Sequence, residues 1–376
     1  MIERIRRMLV KEFLQALRDY RMRSTIFLLP LIQVLVFGYA VTTDVKHVAL
    51  AVYDLDNTVA SRDLISRFAG SGYFEIVNCV YDDAAARSLL DHGRVRMVLR
   101  INAGFQADLA AGRVAQVQAL LDGSDSNTAG IVLNYSNEIV GQANFDALVD
   151  RVTRVLGTFQ RPGQADLQTR AWFNENLESR NFFVPGVIAL IVTLITLMLT
   201  SIAVVREYEI GTIEQIMVTP IRPIEFILGK TVPFALIGFA DVLLITAVGV
   251  YWFEVPIRGS IPLLLLATGL YLLTSLGVGL LISTISRTQQ QALMTSFLFF
   301  APAILLSGFV FPIANMPQVV QWLTYLNPLR YFLVIIRGIF LKGVGLQILW
   351  PQMVALTIIG VLTFTLAVRR FHKTLT

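Results

Sequence analysis

Catalysis needs reactive side chains held close together, and this sequence scatters them. Its three histidines, His47, His92 and His372, are dispersed, with no His-Glu-x-x-His and no second ligand at metal spacing. The single cysteine, Cys79, permits neither an internal disulfide nor a thiolate metal cluster, and reads as a lone buried thiol. Asp54 and Asp56 flank the end of a predicted strand, where capping of the following element outweighs cation binding. No Gly-x-Ser-x-Gly elbow occurs. Gly229-Lys230-Thr231 ends like a phosphate loop, but the position that demands the earlier glycine holds Ile224, which excludes a Walker loop. The residues predict no catalytic group, no metal and no cofactor held by this chain.

What stands out instead is a junction. Val184 to Val204 is apolar and uncharged, and it runs directly into REYEIGTIEQIMVTPIRPIEFILGK, Arg206 to Lys230. Over 206–220 the register is helical. Ile213, Ile216 and Met217 form an apolar stripe, Glu207 and Glu214 lie two turns apart on another face, and Pro220 with Pro223 prevents continuation. Such a segment presents solvated carboxylates just beyond a membrane span. Asp241 is the other conspicuous acid. It falls near the centre of a predicted span, where an ionised carboxylate costs about 2.5–3.5 kcal/mol. It is expected to face the bundle interior or a subunit interface, either as an interhelical hydrogen-bonding group or as part of a substrate path.

The elements that carry these residues are set by composition. Charged residues make up 15% of the 376 and the mean hydropathy is +0.65, against roughly 25% charged for a soluble domain. Six segments are long enough to cross about 30 Å of hydrocarbon: approximately Ser24–Thr42, Phe183–Val204, Thr231–Trp252, Ile261–Ile285, Ala292–Phe311 and Trp350–Val368. Ile2, Ile5, Leu9, Phe13 and Leu17 recur at helical spacing among arginines, which predicts a cytoplasmic amphipathic helix over 1–23. Basic residues flank both the first span and the last. With an even span count, the positive-inside rule places both termini in the cytoplasm. The stretch 312–349, with Pro317, Pro328 and Arg337, suits an outer re-entrant or interfacial helix pair better than a crossing helix.

Between the first two spans lies a segment of different character. Residues 42–180 hold 13 Lys/Arg against 17 Asp/Glu, a net −4 inside a chain of net +5. Strand signals at His47–Asp54, Tyr73–Val80, Arg94–Ile101 and Ala115–Leu121 alternate with helical ones at Thr58–Ala69, Asp82–His92 and Gly104–Ala111. A long helical pattern follows from Thr128 to about Leu156. The expected fold is therefore an α-helical polytopic membrane protein of six transmembrane helices with an inserted extracytoplasmic α/β domain. Its parts are 1–23, the span 24–42, the α/β domain 43–182 and a five-span membrane domain 183–376. The basic charge belongs to juxtamembrane arginines, not to a nucleic-acid groove.

The junction, with its Glu-x-Gly-Thr-x-Glu, Thr219-Pro220 and Gly229-Lys230, resembles exporter-type ABC transporter permeases of the second class. Ser307-Gly308-Phe309-Val310-Phe311-Pro312, Asn327-Pro328-Leu329-Arg330-Tyr331 and Arg337-Gly338-Ile339-Phe340-Leu341-Lys342-Gly343 are similar to that family's outer-face segments. The likeness covers essentially the whole chain and is nearest to the bacterial branch with a large periplasmic domain, linked to drug or lipophile efflux. It implies a multi-pass subunit of the bacterial inner membrane that works with a separate ABC ATP-binding subunit, where ATP and magnesium bind. It also implies a second permease subunit, identical or a sister chain, and a periplasmic adaptor protein. On this chain the ATPase-coupling residues are then Glu207, Glu209, Gly211, Thr212, Glu214, Thr219 and Pro220. Gly211 allows close approach, Thr212 caps the helix and Thr219-Pro220 ends it.

A membrane-anchored extracytoplasmic ligand-binding or adaptor protein is the alternative reading, and five further spans exceed what an anchor needs. An intramembrane enzyme is disfavoured by the missing nucleophile or metal constellation. The topology is directly checkable. Cysteines introduced on the surface of 43–182 and at the C-terminus should label oppositely with an impermeant thiol reagent in intact cells. Labelling of the C-terminal site from outside overturns the six-span count.

Overall fold

A computed structural model describes residues 20–40, 47–156, 172–174, 178–211 and 223–374, together with Leu9, Val10, Phe13 and Arg18. The amphipathic helix expected over 1–23 lies almost wholly outside these. The chain divides into two compact units: Met1–Thr42 with Arg170–Thr376, and Thr43–Thr169. The first unit opens with a helical turn, Tyr20–Arg23, and a π-helical turn, Ser24–Leu28, that lead into helix α1, Leu29–Ala40.

The second unit is a small α/β fold. Its elements are β1 (Val48–Asp54), α2 (Val59–Gly70), β2 (Phe74–Cys79), α3 (Asp83–Asp91), β3 (Met97–Ile101), α4 (Phe105–Ala111), β4 (Val117–Leu121) and the long α5 (Ser126–Leu156). The strands order as β2-β1-β3-β4, with β1 parallel to both neighbours and β4 antiparallel to β3. Two-residue alternation sorts the strand side chains. Val48, Leu50, Met97 and Leu99 pack with Leu64, Phe68 and Val132 on one face; Ala51, Tyr53 and Val98 pack with Ala86 on the other.

Capping is where this unit departs from the sequence reading. Thr58 caps α2, and Asp54 Oδ2 accepts from the Ser61 hydroxyl in that helix's first turn at 2.7 Å. Asp56, however, reaches across to α4 and accepts from the backbone N–H of Gly104 at 2.8 Å and of Gln106 at 3.0 Å. It supplies the acceptor that Gly104, the N-cap residue, cannot. Cys79, expected to be buried, is exposed because it ends the edge strand β2, whose outer half faces outward.

The first unit continues with α6 (Ser179–Ile210), α7 (Pro223–Tyr251), α8 (Ile261–Ile285), α9 (Gln289–Leu305), α10 (Gln318–Thr324), α11 (Pro328–Arg337) and α12 (Leu346–Thr374). Helix α6 is the centre, packing against α1, α7, α8, α9 and α11. It is apolar on every side, so each face must be covered. Against α8 it adds a polar seam: Thr193 Oγ1 pairs with the Tyr271 hydroxyl and Thr196 Oγ1 with Ser275 Oγ at 2.7 Å. A Cβ on Gly279 would sit 2.8 Å from Thr200 Cβ, so the small residue is what lets these helices touch.

Among the described residues four helices are long and apolar enough to cross a membrane, and five if the bent pair α10–α11 counts as one broken span. Two of the six expected spans are shorter helices. The apolar part of the first runs only over Ile26–Tyr39, and α9 stops at Leu305 after 17 residues, about 25 Å of helix. The stretch 312–349 does bend, by 79° between α10 and α11. Asn327 stabilises the corner, donating to the Ala303 carbonyl at 2.7 Å and accepting from the Leu329 N–H at 3.1 Å.

The Asp56 cap gives a test with a defined sign. The Thr58 hydroxyl, and then the backbone N–H groups of α4 and its cap, hold the Asp56 carboxyl below the usual carboxylate range. Its contribution is therefore full above the ordinary aspartate value near 3.8, declines as pH falls below that and is gone beneath the lowered native value. Hydrogen exchange on the full chain should show Asp56→Ala losing protection over 104–111 at neutral pH while β1 and β3 stay protected. Unchanged exchange at Gly104 and Gln106 would refute the cap.

Candidate functional site

The last turn of α6 is built differently from the run before it. The helix does not end with the apolar residues; it carries Arg206 to Ile210 outward and stops at Gly211, whose φ of 77° is the left-handed cap conformation. The Gly211 N–H donates to the carbonyl of Tyr208 at 3.1 Å. Among the described residues nothing lies within 4 Å of where a Gly211 side chain would start, and the positive φ is what calls for glycine here. The docking helix expected over 206–220 therefore does not begin at 206. Glu207 and Glu209 belong to the span helix, and Gly211 breaks the register before the stripe that starts at Ile213. Thr212, Glu214, Thr219 and Pro220 lie outside the described residues.

A carboxylate in the last turn of a helix faces the negative end of its dipole, which costs about 0.3–1 kcal/mol at an exposed site. Helix α6 places two there, and each meets the start of another helix. Glu207, expected to be a solvated contact, is only 5% exposed. Its Oε1 accepts from Lys230 Nζ at 2.5 Å, and Lys230 is itself 3% exposed on α7. Glu209 is exposed and accepts from the backbone N–H of Gln289 at 2.7 Å and from the Gln289 side-chain amide. Gln289 opens α9, so the same carboxylate that α6 disfavours sits at the positive end of α9.

The two contacts make this turn a hub that fastens α6 to α7 and α9. The Glu207–Lys230 pair also closes the base of the segment 208–229, which contains the apolar stripe and Glu214. A signal for Lys230 was present in the sequence, since a cation inside ILGKTVPF needs a counter-charge. Gln289 carries no such signal, because an amide in a polar turn is unremarkable by type. Glu225, in the first turn of α7 and 3% exposed, is a further buried carboxylate at this end of the unit.

Asp241 is not part of this hub. It stands 11 residues beyond Lys230 on α7, about 16 Å along the axis. It is fully buried, and neither carboxyl oxygen has a hydrogen-bond partner among the described residues.

Residues 20–369 match the family described as ABC-2 family transporter protein. The chain is 35% identical over 373 residues to the "Probable multidrug ABC transporter permease YbhR" of Escherichia coli, covering 99% of both chains. It is 34% identical over 346 residues to the "Probable multidrug ABC transporter permease YbhS" of the same organism, covering 90% of this chain and 89% of that one. The E. coli "Inner membrane transport permease YhhJ" is 32% identical over 335 residues, 87% of this chain and 85% of the other.

A buried pair that loses one member leaves an uncompensated charge, which typically costs about 3–5 kcal/mol. Lys230→Met should accordingly lower the melting temperature of the purified protein and open the 206–223 region to protease. Adding Glu207→Leu removes the stranded carboxylate and should restore most of the loss. A Lys230→Met protein as stable as the parent would show that the pair contributes nothing.

Proposed function

The chain belongs to the ABC-2 transporter family, and we propose that it is the membrane-spanning permease subunit of an ATP-driven exporter in a bacterial inner membrane. In this reading it moves a hydrophobic or drug-like substrate out of the cytoplasm or the inner leaflet. The relatives' names speak of multidrug and inner-membrane transport, and that is the support for the substrate class and the membrane. The chain takes six spans with both termini cytoplasmic: the two short apolar helices around Ile26–Tyr39 and Gln289–Leu305 cross where the bilayer is locally thin or their flanks snorkel. The α/β unit then lies on the periplasmic side. ATP and magnesium are held by a separate ABC subunit, a second permease copy or sister chain completes the pathway, and a periplasmic adaptor joins it.

The observation that carries this reading is the hub below α6. A segment meant to receive force from an ATPase subunit needs its base tied to the spans, and residues 208–229 have theirs tied by Glu207–Lys230. Glu209 extends the same tie to α9. Glu207 then acts through its partner and not by touching the ATPase, while Glu214, with the stripe Ile213, Ile216 and Met217, makes the contact.

The test separates contact from support. Glu214→Ala with Met217→Ala should leave membrane insertion and yield near those of the parent. Co-purification of the ATPase subunit should weaken by tenfold or more, as expected when a contact of about 1.5 kcal/mol or more is lost. Export and transport-stimulated ATP hydrolysis should fall together. Retention of both association and export in that double variant would place the docking surface elsewhere.

A further inference from the structure

Arg337 is a half-buried cation that the docking hub does not use. It closes α11 at the point where the helix passes into a π-helical turn, Gly338–Lys342. Its guanidinium is held on two sides. Nη1 donates to the Gly308 carbonyl at 3.3 Å, and the central carbon lies 3.7 Å from the ring centroid of Phe182 and 6.0 Å from that of Phe309. Phe309 is in turn packed edge-on against Phe183 at 5.8 Å. The remaining nitrogens, Nε and Nη2, are enclosed and have no acceptor among the described residues.

Those two nitrogens are not an arbitrary pair. They form one edge of the guanidinium plane, and that edge meets a carboxylate or phosphate with two parallel hydrogen bonds. The ring contacts stabilise the cation through its face and leave the in-plane donors unmet. Among the described residues no carboxylate pairs with Arg337. The surroundings are also shaped around the side chain: a Cβ on Gly186 would come 2.6 Å from Phe309 Cε2 and 3.3 Å from Nη2, so only glycine lets α6 lie against the fork.

We propose that the Nε/Nη2 edge of Arg337 binds the oxyanion head of an amphiphile, a phosphate or carboxylate carried on a hydrocarbon body. The fork selects the head. The walls select the body, because the groups around the fork are phenyl rings. Phe182, 41% exposed, lies over the face of the guanidinium and gives the site an apolar wall that reaches the surface of the unit. A fork flanked by such rings admits a ligand that is charged at one end and apolar along the rest. Lipid phosphate and an anionic substrate share this chemistry.

Binding can be measured without ATPase or transport, so the result is independent of the exporter reading. The full-length protein in a neutral maltoside detergent is titrated with dodecyl phosphate, dodecyl carboxylate, inorganic phosphate and dodecyltrimethylammonium while its melting temperature is followed. The two anionic amphiphiles should stabilise it saturably, and the cationic one should not. Arg337→Lys keeps the charge but loses the fork and should weaken binding tenfold or more; Arg337→Gln should abolish it. Phe182→Leu, at a partly exposed ring, should weaken binding several-fold without lowering the melting temperature of the unliganded protein, and it decides the matter if neither Arg337 variant folds. Equal affinity in Arg337→Lys or Phe182→Leu, or no saturable response in the parent, overturns the site. An equal response to inorganic phosphate overturns the amphiphile assignment in favour of a free anion. Phosphatidylglycerol and phosphatidylcholine nanodiscs then separate the sources: a higher melting temperature in phosphatidylglycerol, lost in Arg337→Gln, identifies lipid, and no difference assigns the fork to a soluble amphiphile.

Discussion

Helix α6 has no face that suits water, and the first unit is organised around that constraint. A helix apolar on all sides can be stabilised only by being enclosed, and α1, α7, α8, α9 and α11 do the enclosing. Apolar packing alone does not fix how one such helix rotates or slides against another in lipid, since hydrocarbon tails compete for the same contacts. The hydroxyl seam does. Thr196 with Ser275, Thr193 with Tyr271, and Ser283 Oγ accepting from the Val204 and Val205 N–H groups at 3.3 and 3.2 Å hold α6 and α8 in one register.

The same logic explains the charges. Three polar groups in this unit sit where a second element consumes them: Glu207 on α7, Glu209 on α9, and Asn327 on the last turn of α9 and the first of α11. Each marks a place where the chain leaves regular helix or where two helices meet end to side. Among the described residues of this unit, Asp241 and the Nε/Nη2 edge of Arg337 are the ionisable exceptions, enclosed with donors or acceptors unmet, while Gln33, Asn181, Thr246, Thr268 and Gln352 each leave one neutral atom unmet. For these two charged groups local structure gives no reason for the residue type, and such points are where function is usually found.

Much of this was legible in the amino acids. All four strands of the α/β unit and its four helices fall where period-two and period-3.6 patterning put them, because both faces of its sheet are covered and the alternation sorts side chains between two cores. The central apolar helix was legible from its uncharged run. What escaped were partners distant in sequence. Glu207 reads as solvated until Lys230, 23 residues away, is placed beside it. Asp56 reads as a cap for the helix that follows it, and only the fold brings α4 to it. Gly211 gives no sign by type that a helix ends there, and only its positive φ shows it as a helix terminator. Burial of Cys79 failed for a related reason, since strand position within the sheet, edge or centre, is not written in the strand itself.

The ion pair between the last turn of α6 and the start of α7 also sets how far those two helices can part. Joined at 2.5 Å by two side chains that are almost wholly enclosed, they cannot separate there without stranding a charge away from water. A displacement of one helix at this point is therefore shared by the other. What couples them is a pair of side chains 23 residues apart in sequence.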